Sequence, residues 1–591
     1  MRTYPHEFFP EPPAMNTDMR QLMNRQSISL TLLAMTSVLA LQVFAGELPR
    51  HSPPQAGPVV GLFDEVQELF PDTKLDRPVK RLVVQMPRNT VAGVHVMITG
   101  LQGTEKIAFS EEDETGKPTP GIRWYRLIDV PVTENTGLDR NTEKYSGMKN
   151  PYVIRRAPFR IYDPFRPVVS PISAESTSVA LRIEIPIEAK APPGEYRHRL
   201  IIDIGGRVES LEDVVSVHRA TIPPLSRSTV SYINWHSIDN ICSAHNVTKW
   251  SEPFWDMLAK YAHTMARGRQ NAFWFIWGDY FTFDSLGNVS SFRRDLLERY
   301  IRVFLDADMK TIHGAPMFGR RNWTSTDMLL GVRAADGKEV DAVSERGKRM
   351  LSQMAQRIIT MMKANGWEGQ WLQGVFDEPE DAFVDRYREL VAVLRGLKPD
   401  IKILEATMTT KVSGLVDVWC PQVQEYQANR EFFDKRKAAG DRVWVYTCLS
   451  PGGPWLNRLL DEERLRQVYI GWALAKYDLQ GYLHWGGNFH TAKPFEELVR
   501  PHIEGQYLPA GDSHILYPLP EGPLSSHRFE AHRIGLEDYE LLAQLKSHDA
   551  PRAQQIIARV VQGFDKYSKD VAAYRAARGL LLDAVDEYTN E

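Results

Sequence analysis

Cysteine is scarce in this chain: Cys242, Cys420 and Cys448 are the only three in 591 residues. There is no CxxC pair and no Cys/His cluster, which argues against a structural zinc site. The odd count excludes a fully paired set. One bridge stays open, and free cysteines packing as small apolar groups are the expectation. Neither sign of charge is in excess: the net charge is -4, which argues against a nucleic-acid partner. Long hydrophobic runs are missing after residue 45, so no membrane span is expected beyond the N-terminal segment. No ligand cluster has calcium-loop spacing, and nothing calls for a cofactor.

What is present suits a multidomain globular protein, 43% hydrophobic and 25% charged, too long for one core. Arg20 and Arg25 precede an apolar run from Leu30 to Phe44, and Val43 and Ala45 are the small residues a signal peptidase requires. Residues 1–45 are therefore expected to be a signal peptide, and the mature protein secreted or periplasmic. The stretch before Met19 is long for such a leader, so Met15, Met19 and Met23 stay open as starts.

From residue 46 to 227 the pattern has period two. Ser178–Ile185 and Tyr196–Ile204 alternate around Pro192-Pro193-Gly194, which predicts a β-sandwich ending in the linker at Pro223-Pro224. From 228 to 524 short β-rich runs alternate with amphipathic stretches. Eight strands are predicted: Val230–Trp235, Ala272–Trp277, Thr311–Met317, Trp371–Phe376, Ile401–Ala406, Val416–Pro421, Val443–Cys448 and Gly481–Trp485. Eight βα units of this length predict an α/β (β/α)8 TIM barrel. Residues 525–591 are helical in period and are expected to pack on the barrel.

A barrel carries its chemistry at the C-terminal ends of its strands. The fourth predicted strand ends in Phe376-Asp377-Glu378-Pro379, the only adjacent acids at a strand mouth. Neighbours on a strand point to opposite faces, which disfavours a dyad sharing one proton. Beside Pro379 both can still border one ligand, with Glu378 reaching a glycosidic oxygen as general acid and Asp377 holding a neighbouring group. The competing reading is an N-cap ahead of a helix.

Gly374-Val-Phe-Asp-Glu-Pro379 resembles the catalytic motif of glycoside hydrolase family 123, the β-N-acetylgalactosaminidases and their relatives. Val416–Pro421, Val443–Cys448 and Leu479–Trp485 resemble its later barrel strands in the same order. Arg528–Glu540 resembles its C-terminal helix signature. The resemblance covers roughly residues 60–545 and implies a glycan or glycoconjugate substrate, most specifically a β-linked N-acetylgalactosamine. It also implies a retaining, substrate-assisted mechanism. The 2-acetamido oxygen attacks the anomeric carbon, Glu378 acts as acid/base, and Asp377 orients the acetamido group. Around them, Trp485 is a candidate sugar-stacking floor and Tyr426 a candidate donor to the acetamide oxygen. His236, Asp279, Tyr446 and Asn488 are candidate partners of sugar hydroxyls. Each of these six has core or loop support as its alternative. Arg533 and Glu537, spaced i,i+4, are expected to be structural. Two rival readings stay open: an enzymic nucleophile such as Asp279 or Glu425, and a non-catalytic carbohydrate-binding scaffold.

Overall fold

The computed structural model describes residues 57–589. The expected signal peptide, 1–45, lies outside the described residues. Among the described residues no helix is long and apolar enough to cross a membrane, and all three cysteines are free.

The N-terminal region forms two five-stranded sheets. In one, Thr90–Thr99 and Ser178–Ile187 pair antiparallel at the centre. In the other, Arg207–Thr221 pairs antiparallel with Gly194–Ile204 and parallel with Arg81–Arg88. Alternate residues from both sheets, among them Val94, Val96, Leu181, Ile183, Leu200, Ile202 and Val215, make one apolar core. This is the burial that a period-two pattern calls for.

The polar alternates of the first sheet are buried as well. Arg182 and Glu184 face an ion network with Glu65, Arg267, Glu530 and Arg533. Arg533 also bonds Glu537 at 2.9 Å, and Glu537 accepts the Thr90 hydroxyl at 2.7 Å. The helix His527–Ala558 thus lies against the N-terminal region as well as the central one, a wider role than packing on a barrel alone. Gly535 and Gly471 let this helix meet helix Arg464–Tyr477 closely: a Cβ on Gly535 would stand 2.2 Å from the Val468 carbonyl oxygen, and one on Gly471 1.9 Å from the Gly535 carbonyl oxygen. The ion pairs explain physically why Arg528–Glu540 has so polar a sequence for a buried helix. Arg533→Met should lower stability by about 3–5 kcal/mol, because it leaves buried carboxylates uncompensated. Calorimetry should find a lowered unfolding midpoint; an unchanged one would mean the network is energetically neutral.

The central region holds the eight strands expected: β1 (Ser231–Asn234), β2 (Ala272–Phe275), β3 (Thr311–Gly314), β4 (Trp371–Gln373), β5 (Leu404–Ala406), β6 (Val418–Cys420), β7 (Arg442–Thr447) and β8 (Gly481–His484). All pair in parallel, in two sheets: β2-β3-β4, and β5-β6-β7-β8-β1. The sheets meet at two places. Asn271 N–H, just before β2, donates to the Tyr232 carbonyl of β1 at 3.2 Å. Gln373 of β4 forms a parallel bridge with Ile403. Ile233, Ala272, Leu372, Leu404, Val418, Trp444 and Leu483 form an apolar cluster on one face of the strands. Tyr232, Phe273, Ile403, Val443 and Tyr482 face the helices on the other. Helices Glu252–Arg267 and Glu345–Ala364 start at Ser251 and Ser344, whose hydroxyls accept the backbone N–H three residues on.

Candidate active site

Most strands stop short of their expected ends. The residues that follow splay outward and line a cavity of about 1460 Å³. All eight strands supply residues to it, among them Trp235, Trp274, Pro316, Asp377, Glu378, Met408, Gln422, Tyr446 and Trp485. The volume exceeds the ordinary small-ligand range of roughly 300–1,000 Å³. Its walls are aromatic: Trp235 and Trp274 stack at 4.5 Å and 5°, and Trp485 leans on Phe489 at 5.3 Å.

Asp377 and Glu378 both line this cavity, and their setting differs from a strand terminus. β4 ends at Gln373, so the opposite-face rule does not govern the pair. Nor does either residue cap a helix: the next helical turn begins at Asp381. Glu378 has φ +52°, a left-handed conformation that costs a non-glycine residue on the order of 1–3 kcal/mol. The surroundings hold it there. The buried Arg320 guanidinium donates to the carbonyls of Asp377 (3.1 Å) and Glu378 (2.6 Å). It is itself fixed by Phe376, Phe383, Trp323 and an ion pair to Glu380 at 3.0 Å. The Thr407 hydroxyl donates to the Pro379 carbonyl at 3.1 Å. From below, one oxygen of buried Glu405 accepts the N–H groups of Val375 and Phe376, each at 3.1 Å, and the Tyr387 hydroxyl at 2.9 Å.

The electrostatics of the pair follow from burial. Desolvation pushes Asp377 up, and the neighbouring Glu378 charge adds to it, against the opposing pull of Arg320. Desolvation also raises Glu378, opposed by the Tyr446 hydrogen bond and by Arg320. Two such carboxyls titrate jointly, so the pair tends to retain one proton at pH values where ordinary carboxylates have lost theirs. The Tyr446 hydroxyl donates to Glu378 Oε1. Burial and the Glu378 charge push Tyr446 well above the usual tyrosine range, so it stays a neutral donor.

The other candidates divide. Trp485 lines the cavity, with its indole N–H donated to Asp512 at 3.1 Å. Asp279 lines it too, but forms an ion pair with Lys249 at 2.7 Å. His236 lies at the cavity edge, almost wholly buried. Its Nε2 bonds the Tyr300 hydroxyl at 2.7 Å, and burial lowers its pKa to about 3, so it is neutral support. Two candidates are not brought to the cavity. Asn488 uses its amide on the backbone N–H and carbonyl of Ser237 at 2.7 and 3.0 Å. Tyr426 is buried among Phe433, Tyr477 and Phe564, because helix Val423–Ala428 turns it away from the site. Glu425, on the same helix, is not among the cavity-lining residues either. Arg320 and Glu405, which hold the backbone around the acid pair, are not among the candidates expected from the sequence. Glu405 left a signal, a lone carboxylate in the apolar run Ile403-Leu404-Glu405-Ala406; Arg320 left none. Among the described residues no cluster could hold a metal ion.

Residues 235–545 match the family model for the glycoside hydrolase 123 catalytic domain. Among solved structures, a family 123 glycoside hydrolase from Clostridium perfringens, described in a study of glycolipid glycan hydrolysis, superposes with TM-score 0.69. The identity is 13%, over 90% of this chain and 98% of that one, so the likeness is one of fold. Much weaker similarity extends to a Parabacteroides merdae β-glucuronidase (TM-score 0.26, 10% identity, 67% of this chain and 45% of that one). A Thermobacillus composti GH10 xylanase is comparably distant (TM-score 0.31, 10% identity, 53% and 98%). No curated protein matches the chain.

Proposed function

The chain belongs to glycoside hydrolase family 123, and from that premise we propose that it removes β-linked 2-acetamido sugars, N-acetylgalactosamine foremost, by substrate assistance. We further propose that it is exported by its N-terminal segment, that residues 46–227 form a β-sandwich, and that β1–β8 in residues 228–524 close as a (β/α)8 barrel. The barrel reading draws on the two joins between the sheets and on the apolar cluster shared by β1, β2 and β4–β8. In it, residues 525–591 brace both domains.

The observation that carries the catalytic reading is the adjacent pair Asp377–Glu378 at one end of parallel strands, inside an aromatic-walled cavity. The Tyr446 hydrogen bond favours charge on Glu378, which leaves the pair's proton on Asp377 before substrate binds. A bound acetamido group reverses this. Its N–H donates to Asp377 and favours that carboxylate, while the glycosidic oxygen takes the proton of Glu378. The acetamido oxygen then attacks the anomeric carbon and the glycosidic bond breaks. The positive oxazolinium ring that forms lies beside the Asp377 charge. Glu378, now a carboxylate, deprotonates the water that opens the ring. Trp485 offers a flat face to the sugar.

The test is a pair of nitrophenyl glycosides with and without the 2-acetamido group. The acetamido substrate should turn over and the 2-hydroxy analogue hardly at all, and a thiazoline mimic of the intermediate should inhibit strongly. Asp279 is the enzymic nucleophile that the cavity leaves available as a rival. Equal rates on both substrates, or a covalent adduct on Asp279 with a 2-fluoro glycoside, would replace substrate assistance with that route. A protein that binds these sugars without turnover would be a scaffold.

A further inference from the structure

One side of the cavity carries two arginines, Arg140 and Arg500, that form no ion pair among the described residues. The loop carrying Arg140 comes from the N-terminal region and docks on the central one. Asn141 N–H donates to the Leu449 carbonyl at 3.0 Å, Gly452 N–H to the Asp139 carbonyl at 2.6 Å, and the Asn141 side chain to Gln506 at 3.1 Å. Gln506 directly precedes the short strand Tyr507–Leu508, which pairs antiparallel with Arg500–Pro501. Arg140, Arg500 and Gln506 all line the cavity that holds Asp377 and Glu378.

Arg500 is half-buried. One of its NH groups donates to the Phe489 carbonyl at 2.7 Å, and Phe489 is the residue that leans on Trp485. The guanidinium is therefore one side chain away from the proposed sugar floor. Among the described residues neither Arg140 nor Arg500 has an ion pair. By contrast, Arg320 behind the acid pair is matched by Glu380, and Lys249 by Asp279. Asp512 and Glu497 stabilise the Arg500 charge without forming an ion pair with it, so the partly desolvated guanidinium still suits the planar or tetrahedral oxygens of a carboxylate or sulfate.

We propose that Arg500 and Arg140 form a subsite for an anionic group, a sulfate ester or a carboxylate, carried by the glycan on or next to the sugar at Trp485. The inference rests on the glycosidase reading for the placement of that sugar. It adds the substrate class: acidic glycans, recognised jointly by both domains. The cavity, larger than one monosaccharide needs, has room for the charged group and a neighbouring sugar.

The experiment is calorimetric binding to the full-length Glu378→Gln protein, in which cleavage should be slowed about 10²–10⁴-fold. Three probes share one 2-acetamido sugar: a neutral disaccharide, its sulfate ester, and a disaccharide in which the neighbouring sugar is a hexuronic acid. An acidic probe should bind about 10–100-fold more tightly than the neutral one, the usual worth of charge-assisted bonds. The advantage should shrink with added salt. Adding Arg500→Gln should abolish it and adding Arg140→Gln should reduce it. Which acidic probe gains decides between sulfate and carboxylate. Should Arg500→Gln fail to fold, the exposed Arg140 carries the same comparison. Equal affinity for all three probes, or an acidic preference that survives both substitutions, overturns the subsite. The readout is independent of turnover. Acidic preference without hydrolysis of any acetamido sugar by wild type would sink only the enzymatic reading, whereas efficient cleavage of neutral substrates without acidic preference would sink only the subsite.

Discussion

Glu378→Gln should lower kcat on a substrate with an alkyl or sugar leaving group by about 10²–10⁴-fold, the customary contribution of a positioned acid. The substitution keeps shape. A glutamine oxygen still accepts the Tyr446 hydroxyl, and Arg320 still holds the backbone at φ +52° because it grips carbonyls, not the side chain. What is lost is a proton that can be delivered. The loss should therefore depend on the leaving group. A dinitrophenolate departs without protonation, so the step that forms the intermediate should be slowed far less with it. Values of kcat/KM on an alkyl and a dinitrophenyl glycoside, which report the intermediate-forming step and not the later opening of the ring, make the comparison. An equal loss on both would mean that Glu378 supports the site without donating a proton.

The sequence made the strands legible because alternation and βα spacing are local properties of the chain. It exaggerated their length for a physical reason. Beyond Gln373 the chain no longer pairs with a neighbouring strand as a ladder; the N–H groups of Val375 and Phe376 go to the Glu405 carboxylate instead. An apolar run such as Val375-Phe376 looks the same in sequence whether it pairs or is held by a side chain. The acid pair could be read from its motif, but the pocket around it could not. Tyr426 and Asn488 have the right chemistry at a strand mouth, yet the helix after β6 buries the first and Ser237 occupies the second. Arg320 stands 57 residues before Asp377, and its role exists only through the carbonyls it meets. Arg140 comes from the N-terminal region, far from the cavity strands in sequence, so no periodicity could connect it with the cavity.

Asp377→Asn should be nearly as damaging, and in a way that separates its role from that of Glu378. An asparagine can still accept the acetamido N–H through its oxygen, so substrate affinity should change little. The charge that balances the oxazolinium ring is gone, and a loss of about 10²–10³-fold in kcat is expected, as for other preorganised charge-stabilising groups. Unlike the loss at Glu378, this one should persist with a dinitrophenyl leaving group, because ring closure needs the charge whatever departs. The pH profile supplies an independent sign. Wild-type activity requires one proton on the pair, so it should fall on the alkaline side as that proton is lost. Burial raises both carboxyls, and the Glu378 charge adds to the rise of Asp377, which places this limb above the ordinary carboxylate range. Removing the Asp377 charge removes the repulsion, so Glu378 ionises more readily and the alkaline limb should move to lower pH. A profile of kcat/KM against pH for wild type and variant reads the shift. An unmoved limb would mean that the two carboxyls do not share their proton, and the division of labour between them would have to be redrawn.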